Sequence, residues 1–222
     1  MKSMTNKTVF LSSILFLFIS SACFASSEII IQPGPADGND TWVGNLSSDQ
    51  NHGTEQNLYF GNNVTVGEVR HLYIRFDLSD VPEGSLIINA RLEFFMHGQN
   101  GWMSYDYGVY PALEPWNEQT ITWNNAPITA PAPAIIFDGA EWQGNWGRWQ
   151  SILGFADLAQ NWLDNPVSNY GLMIKAVSSY YGEPYIYSSD SDQSDLAPRF
   201  ILEIGTVSTN ERTWGHVKTL FR

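Results

Sequence analysis

One cysteine, Cys23, stands in the 222 residues, so no disulfide can close within the chain. Stability has to come from a packed core. Charge is also scarce, at 15%, and lopsided: 11 Lys and Arg face 23 Asp and Glu, for a net charge of −12. Such a surface repels phosphate backbones and anionic lipid, which argues against nucleic acid as a partner. Apolar runs are short. The longest, Val9–Ile19, is too brief to cross a bilayer. Catalytic signatures are missing as well: there is no G-x-S-x-G elbow, no H-E-x-x-H, no Gly-rich phosphate loop and no Cys pair. The histidines His52, His71, His97 and His216 are scattered.

The first 25 residues carry an export pattern. Lys2 and Lys7 precede the apolar run, and small residues around Ser20–Ser26 suit a signal peptidase cutting after Ala25. Two rivals are an uncleaved anchor and a lipoprotein acylated at Cys23. The latter wants an apolar residue where Ser20 stands. Removal of residues 1–25 takes two lysines, moving the charge from −12 to −14, and takes the only cysteine. That fits bacterial export to the cell surface or medium. The sequons at Asn39, Asn45 and Asn63 then read as accidental.

The remaining chain reads as all-β. Leu72, Ile74, Phe76 and Leu78 alternate with Tyr73, Arg75 and Asp77. Ile88, Ala90, Leu92, Phe94 and Met96 alternate with Asn89, Arg91, Glu93 and Phe95. Phe200, Leu202 and Ile204 alternate with Ile201 and Glu203. Each pattern places one face in a core and one toward water. Shorter strands are expected over 28–32, 41–43, 57–60, 107–110, 120–123, 135–137, 171–177 and 185–188. Asp80-Val81-Pro82-Glu83-Gly84 is a turn, and three prolines make 126–134 a loop. Phe155, Leu158, Ala159 and Trp162 share one face of a short helix ended by Asp164-Asn165-Pro166. From Thr206 the chain becomes a basic tail, 206–222, after a domain spanning 28–205.

The order of segments resembles the DNRLRE-type domain, which overlaps carbohydrate-binding module family 96 and the disaggregatase-related domains. Asp40-Thr41-Trp42-Val43 looks like an opening D-T-Y-V strand. Asn51-His52-Gly53-Thr54 with Leu58-Tyr59-Phe60-Gly61 looks like N-Y-G then L-x-V-G, and Leu72–Ser79 like L-L-R-F-D-L-S. The segment from Trp116 to Pro127 is similar to W-x-E-x-x-V-T-W-N-N-x-P. Tyr170–Lys175 matches Y-G-L-x-L-K, and Ala197–Phe200 matches R-P-R-L. The resemblance implies a jelly-roll β-sandwich with one short helix. It also implies a non-catalytic module outside the cell, and it carries no substrate; a polysaccharide or cell-surface glycan is the partner expected from the low charge and many aromatic rings. The tail resembles T-W-G-x-V/I-K endings of exported bacterial proteins, which implies a sorting or docking partner; a frayed terminus is the other reading.

Aromatics reach 14%, nine of them Trp. A pyranose stacks its apolar C–H face on a ring, so rings that the core does not need are candidates. These are Trp102 and Tyr105, followed by Tyr107, after Asn100-Gly101. Next come Trp142, Trp146 and Trp149 in a Gly-, Gln- and Asn-rich stretch expected to be loop, and then Tyr180 and Tyr181, with Tyr185, beside a Gly-Glu-Pro turn. Trp116 and Trp123 are expected to pack the edge of the core, and Asn124 and Asn125 to cap a turn. Asp190, Asp192 and Asp195 form a run of hard oxygen ligands for a structural calcium ion, with a solvated acidic loop as the plainer alternative. Asp37, Asn39 and Asp40 form a weaker candidate. An enzyme of the lyase or glycosidase kind would have to draw on Asp77, Glu93, His97 and Glu118. A structural or adhesive module without sugar binding is the other alternative.

Overall fold

The computed structural model describes residues 26–63, 65–103, 105–177 and 182–205. The export segment, the tail, Tyr180 and Tyr181 lie outside them. Twelve antiparallel strands form: β1 (Ser26–Ile31), β2 (Asp40–Gly44), β3 (Asn57–Tyr59), β4 (Gly61–Asn63), β5 (Glu68–Ile74), β6 (Leu86–Gly101), β7 (Asp106–Pro111), β8 (Ile135–Asp138), β9 (Arg148–Leu153), β10 (Leu172–Ala176), β11 (Gly182–Tyr187) and β12 (Arg199–Gly205). Among the described residues one α-helix forms, α1 (Ala156–Asp164), which packs Ala159 and Trp162 inward.

The hydrogen-bonded path runs β1-β12-β6-β11-β4-β5-β10-β7-β8, with β9 on β6, β3 on β11 and β2 on β5. It folds over into a sandwich. Leu92, Phe94 and Met96 of β6, Phe200 and Leu202 of β12 and Ile186 of β11 share one core with Leu72 and Ile74 of β5, Val109 of β7 and Leu172 and Ile174 of β10. The short β4 links the layers, pairing with both β5 and β11. Gly61 opens it at φ 111, and a Cβ there would meet the Gly182 carbonyl oxygen at 2.2 Å, so only glycine fits.

The sandwich and the helix follow the alternation in the sequence, with three corrections. Ile88 is 46% exposed, whereas Ile87 is buried. A register shift between Glu203 and Ile204 moves the inward position by one residue. Residues 120–123 form no strand; they lead into a short 3-10 turn, Trp123–Asn125. The Trp-rich stretch is only partly loop, because 148–153 is β9, paired with β6.

A second, smaller core covers the outer face of the β2-β5-β10-β7 layer. Val43, Tyr73, Tyr110, Ile121 and Met173 are buried there, with Trp116, Trp123 and Ala126 packed on them. This is why Tyr73, at an outward strand position, is only 2% exposed. Asn51 donates to the carbonyls of Glu118 and Ile121, 2.7 Å each, and Trp116 Nε1 donates to the Tyr170 carbonyl at 2.7 Å. Asn125 accepts from Thr122 N and donates to the Thr120 carbonyl, capping the turn as expected. The W-x-E-x-x-V-T-W-N-N segment is therefore a lid on the sheet.

Candidate functional site

The candidate rings separate by depth. Trp142 is 3% exposed, its ring set among Phe60, Phe94 and Phe137 at 5.1–6.3 Å. It is a core residue and offers no face to a ligand. Tyr107 is likewise fully buried. Tyr105 is half-buried, 5.7 Å from Tyr107, and its hydroxyl fills the space that a Cβ on Gly182 would need. Trp102 and Trp146 stand out at 66% and 60% exposure.

These two tryptophans sit on loops that are pinned from below and tied together. Trp102 directly follows β6, and the next residue, Met103, is fully buried. Trp146 follows the short 3-10 turn Gly139–Glu141, whose neighbour Trp142 is the buried anchor. Met103 N donates to Gln143 Oε1 at 2.6 Å, and Gly144 N donates to Gln99 Oε1 at 2.9 Å. Gly144 and Gly147, at φ 70 and 67, bend the chain tightly around Trp146. Burying one side chain per loop fixes the backbone, so the exposed ring beside it is presented without further ordering.

Trp149 is half-buried on β9 and belongs to a different group. It meets Phe95 edge-on at 5.7 Å, and the Arg199 guanidinium covers its ring at 3.8 Å. Phe95 lies 6.1 Å from Tyr187, and Tyr187 stacks on His97 at 4.4 Å. His97 lies 6.3 Å from Tyr185, and Tyr185 meets Tyr59 at 5.2 Å. All six are half-buried on the outward face of β9, β6, β11 and β3. The sequence singles out Trp149 and Tyr185 as ring candidates and His97 only as material for an acid–base site; Phe95, Tyr187 and Tyr59 escape it. The available signals were Phe95, apolar at an outward position, and Tyr185 and Tyr187 spaced by two.

Charges on and beside this face are matched. Glu93 accepts from Arg91 Nε at 2.8 Å and from Arg199 at 2.7 Å, and Arg91 reaches Glu28 at 3.0 Å. Burial would raise the Glu93 carboxyl, but the two guanidiniums hold it below its ordinary value. Arg70 bridges Glu68 at 2.8 Å and the fully buried Glu183 at 3.0 Å, and Asn63 donates to Glu183 at 2.8 Å. Burial pushes Glu183 up to about 7 against those partners. The sequon side chain of Asn63 is thus taken up inside the fold. Arg70 also lies 4.3 Å from the Trp42 ring, whose other neighbour is His52, stacked at 3.6 Å.

The acidic candidates do not gather. Among the described residues no three His, Cys, Asp or Glu are placed to hold a metal ion. Asp192 and Asp195 are exposed, and Asp190 is half-buried. Asp37 accepts from Gly34 N, Asn39 from Arg75, and Asp40 from Ser189 N at 3.0 Å. Asp40 is buried, and burial raises its carboxyl to about 7, with Glu118 and Asp190 adding to the rise. No hydrogen bond or ion pair joins any two of Asp77, Glu93, His97 and Glu118. Ser47, His52 and Glu55 do line up, at 3.3 Å and 2.7 Å, in the spacing of a nucleophile, base and acid. Ser47 nonetheless gives its proton to Glu68 at 2.9 Å, and His52 is pressed against Trp42.

No curated protein matches the chain at a significant level. A family model aligns with residues 36–149, just over half of the chain. That stretch runs from β2 into the first two residues of β9 and includes the lid, both loop tryptophans and Trp149. On this match, and with the sandwich in place, the chain belongs to carbohydrate-binding module family 96.

Proposed function

We propose that the protein is exported and binds extracellular or cell-surface polysaccharide without cleaving it, using Trp102 and Trp146 at the loop end of the sandwich. One observation carries this reading: two tryptophans more than half exposed, on loops pinned by Met103 and Trp142 and bonded to each other. Large rings kept in water by a fixed scaffold mark a contact surface. The candidate acid–base groups are dispersed or already bonded, which supports binding without catalysis.

The test is affinity gel electrophoresis of the purified protein against a polysaccharide panel, with Trp102→Ala, Trp146→Ala and the double variant. Retention should drop in each single variant and vanish in the double one. Their unfolding free energies should stay within about 0.5 kcal/mol of the parent, as for surface positions. A parent that no polysaccharide retains would leave a structural or adhesive role instead. N-terminal sequencing of exported protein should begin at Ser26; a start at Met1 or a lipid on Cys23 overturns that part.

A further inference from the structure

We infer that the outward face of β9, β6, β11 and β3 is a second glycan platform, taking an internal stretch of an uncharged linear polysaccharide. Three features support it: the rings are contiguous, the core does not need them, and the outward face itself carries no unpaired positive charge.

Contiguity comes from register. Trp149 pairs across the sheet with Phe95, Tyr187 with Asn57, and Tyr185 with Tyr59. Tyr187 then bridges to Phe95 and His97. Gly98 lies opposite Tyr185, and a Cβ there would come within 3.1 Å of the Tyr185 ring, so glycine lets that ring lie flat against β6. The inward positions between these residues, Phe94, Met96, Ile186 and Leu58, are fully buried and fill the core by themselves. Aromatics do favour strands. Propensity does not account for a row of six half-buried rings on a face that an antiparallel sheet normally gives to polar residues. A continuous apolar surface of this kind marks a binding face.

The shape fits a polymer. β9 pairs only with β6, and β3 only with β11. The row therefore runs from one sheet edge to another across three strand-to-strand steps of about 4.8 Å each. It is longer than a single sugar ring. At the β3 end Tyr59 meets Trp42 of β2 edge-on at 5.5 Å, with Arg70 4.8 Å from its ring, so a chain would run on past the β9 edge. The phenolic hydroxyls of Tyr59, Tyr185 and Tyr187, with the amide of Asn57, which pairs with Tyr187, supply donors and acceptors for sugar hydroxyls.

The charge pattern selects an uncharged polymer. Arg70, Arg91 and Arg199 are each bound to glutamates, and burial lowers the His97 pKa, which keeps that ring neutral. Arg148, exposed beside Trp149 on β9, has no ion pair among the described residues, but it pairs with the inward Met96 and so sits on the other face of its strand. With a net charge of −12 behind it, the outward face itself offers no unpaired cation to a uronate or sulfate.

The experiment uses gels cast with hydroxyethyl cellulose, mixed-linkage β-glucan, xylan or galactomannan, and one with polygalacturonate. Tyr187→Ala, Tyr185→Ala and Tyr187→Leu are run beside the parent. Calorimetry follows, with oligosaccharides of the retained polymer from disaccharide to hexasaccharide. At least one neutral polymer should retain the parent, with affinity rising up to the longest oligosaccharides. The three variants should bind roughly tenfold more weakly. Tyr187→Leu keeps apolar bulk on the strand, so its loss of binding reports the ring and not folding. Parent-like binding by all three variants overturns the inference while leaving the loop tryptophans standing. So does affinity already maximal with the disaccharide. Retention by polygalacturonate alone, or by none of the neutral polymers, overturns it as well.

Discussion

Phe94 and Phe95 are neighbours on β6 and live in different worlds. Phe94 is fully buried, with Phe60 and Trp142 within 6.3 Å, and closes a cluster that also contains Tyr107 and Phe137. Phe95 points the other way, half-exposed, into the row of Trp149, Tyr187, His97, Tyr185 and Tyr59. The chain thus builds two aromatic clusters back to back on the same strand. The inner one is geared to shape, with rings meeting mostly edge to face, as packed interiors favour. The outer one is bordered by ion pairs and amides, a composition suited to a wet partner. Aromatic content alone says nothing about which is which; the parity of the position decides.

The contrast can be broken most severely at Trp142. Trp142→Ala should cost about 3–5 kcal/mol in urea unfolding, and any fall in glycan retention should track the unfolded fraction only. A sugar platform at that position would give the opposite result, lost retention at unchanged stability. Phe94→Ala should fall in the same range, whereas Phe95→Ala should cost roughly half of a full side-chain burial, about 1–2 kcal/mol. Equal costs for the two would mean the outer row is a second core.

Carboxylates sharpen the same contrast through pH. Asp40, buried and raised to about 7, holds a proton in the folded state that the unfolded chain releases from near 3.8 upward. Stability should therefore fall as pH rises from about 4 to about 7, by at most about 1.4 kcal/mol per unit. Glu183, likewise raised to about 7, adds a fall of the same sign, so Asp40→Asn, which keeps an acceptor for Ser189 N, should remove the Asp40 share of the slope and leave the Glu183 share. Glu93 has the opposite sign. Held below its ordinary value, it contributes stability above about pH 4.5 that disappears on acidification, and Glu93→Gln should remove that acid limb. Thermal midpoints taken from pH 4 to 8 on parent and variants read both. The smallest effect is expected from Trp102→Ala with Trp146→Ala, under about 0.5 kcal/mol in stability.

Much of the sandwich is legible because burial on one face imposes a period of two. β6, β5 and β12 follow this rule, and the helix is legible from Phe155, Leu158, Ala159 and Trp162. β9 hid because its pattern is inverted: Ile152 points inward, while the large residues Trp149 and Leu153 point outward. Residues 120–123 looked like a strand because Ile121 and Trp123 are apolar, yet both pack downward onto the outer core as part of the lid. Of the ring candidates, Trp102 and Trp146 are exposed as expected, and Trp142 is not, since a single buried tryptophan anchors an otherwise polar loop. The row on the sheet was out of reach. Phe95 and Tyr187 are brought together only by β11 pairing beside β6, a contact that no local pattern encodes.

The long strand β6 also sets a direction. At its start Leu86 pairs with Gly205, which in turn pairs with Ser26, so both boundaries of the domain meet at one pole. At its end Gly101 leads into Trp102. Sixteen residues separate the poles, about 50 Å of strand at roughly 3.3 Å per residue. Ser26 and Gly205 thus lie side by side at the base, and the two exposed tryptophans stand toward the other end of the strand. A tether at either of those residues would hold the domain like a probe on a mooring, its exposed tryptophans one strand length away.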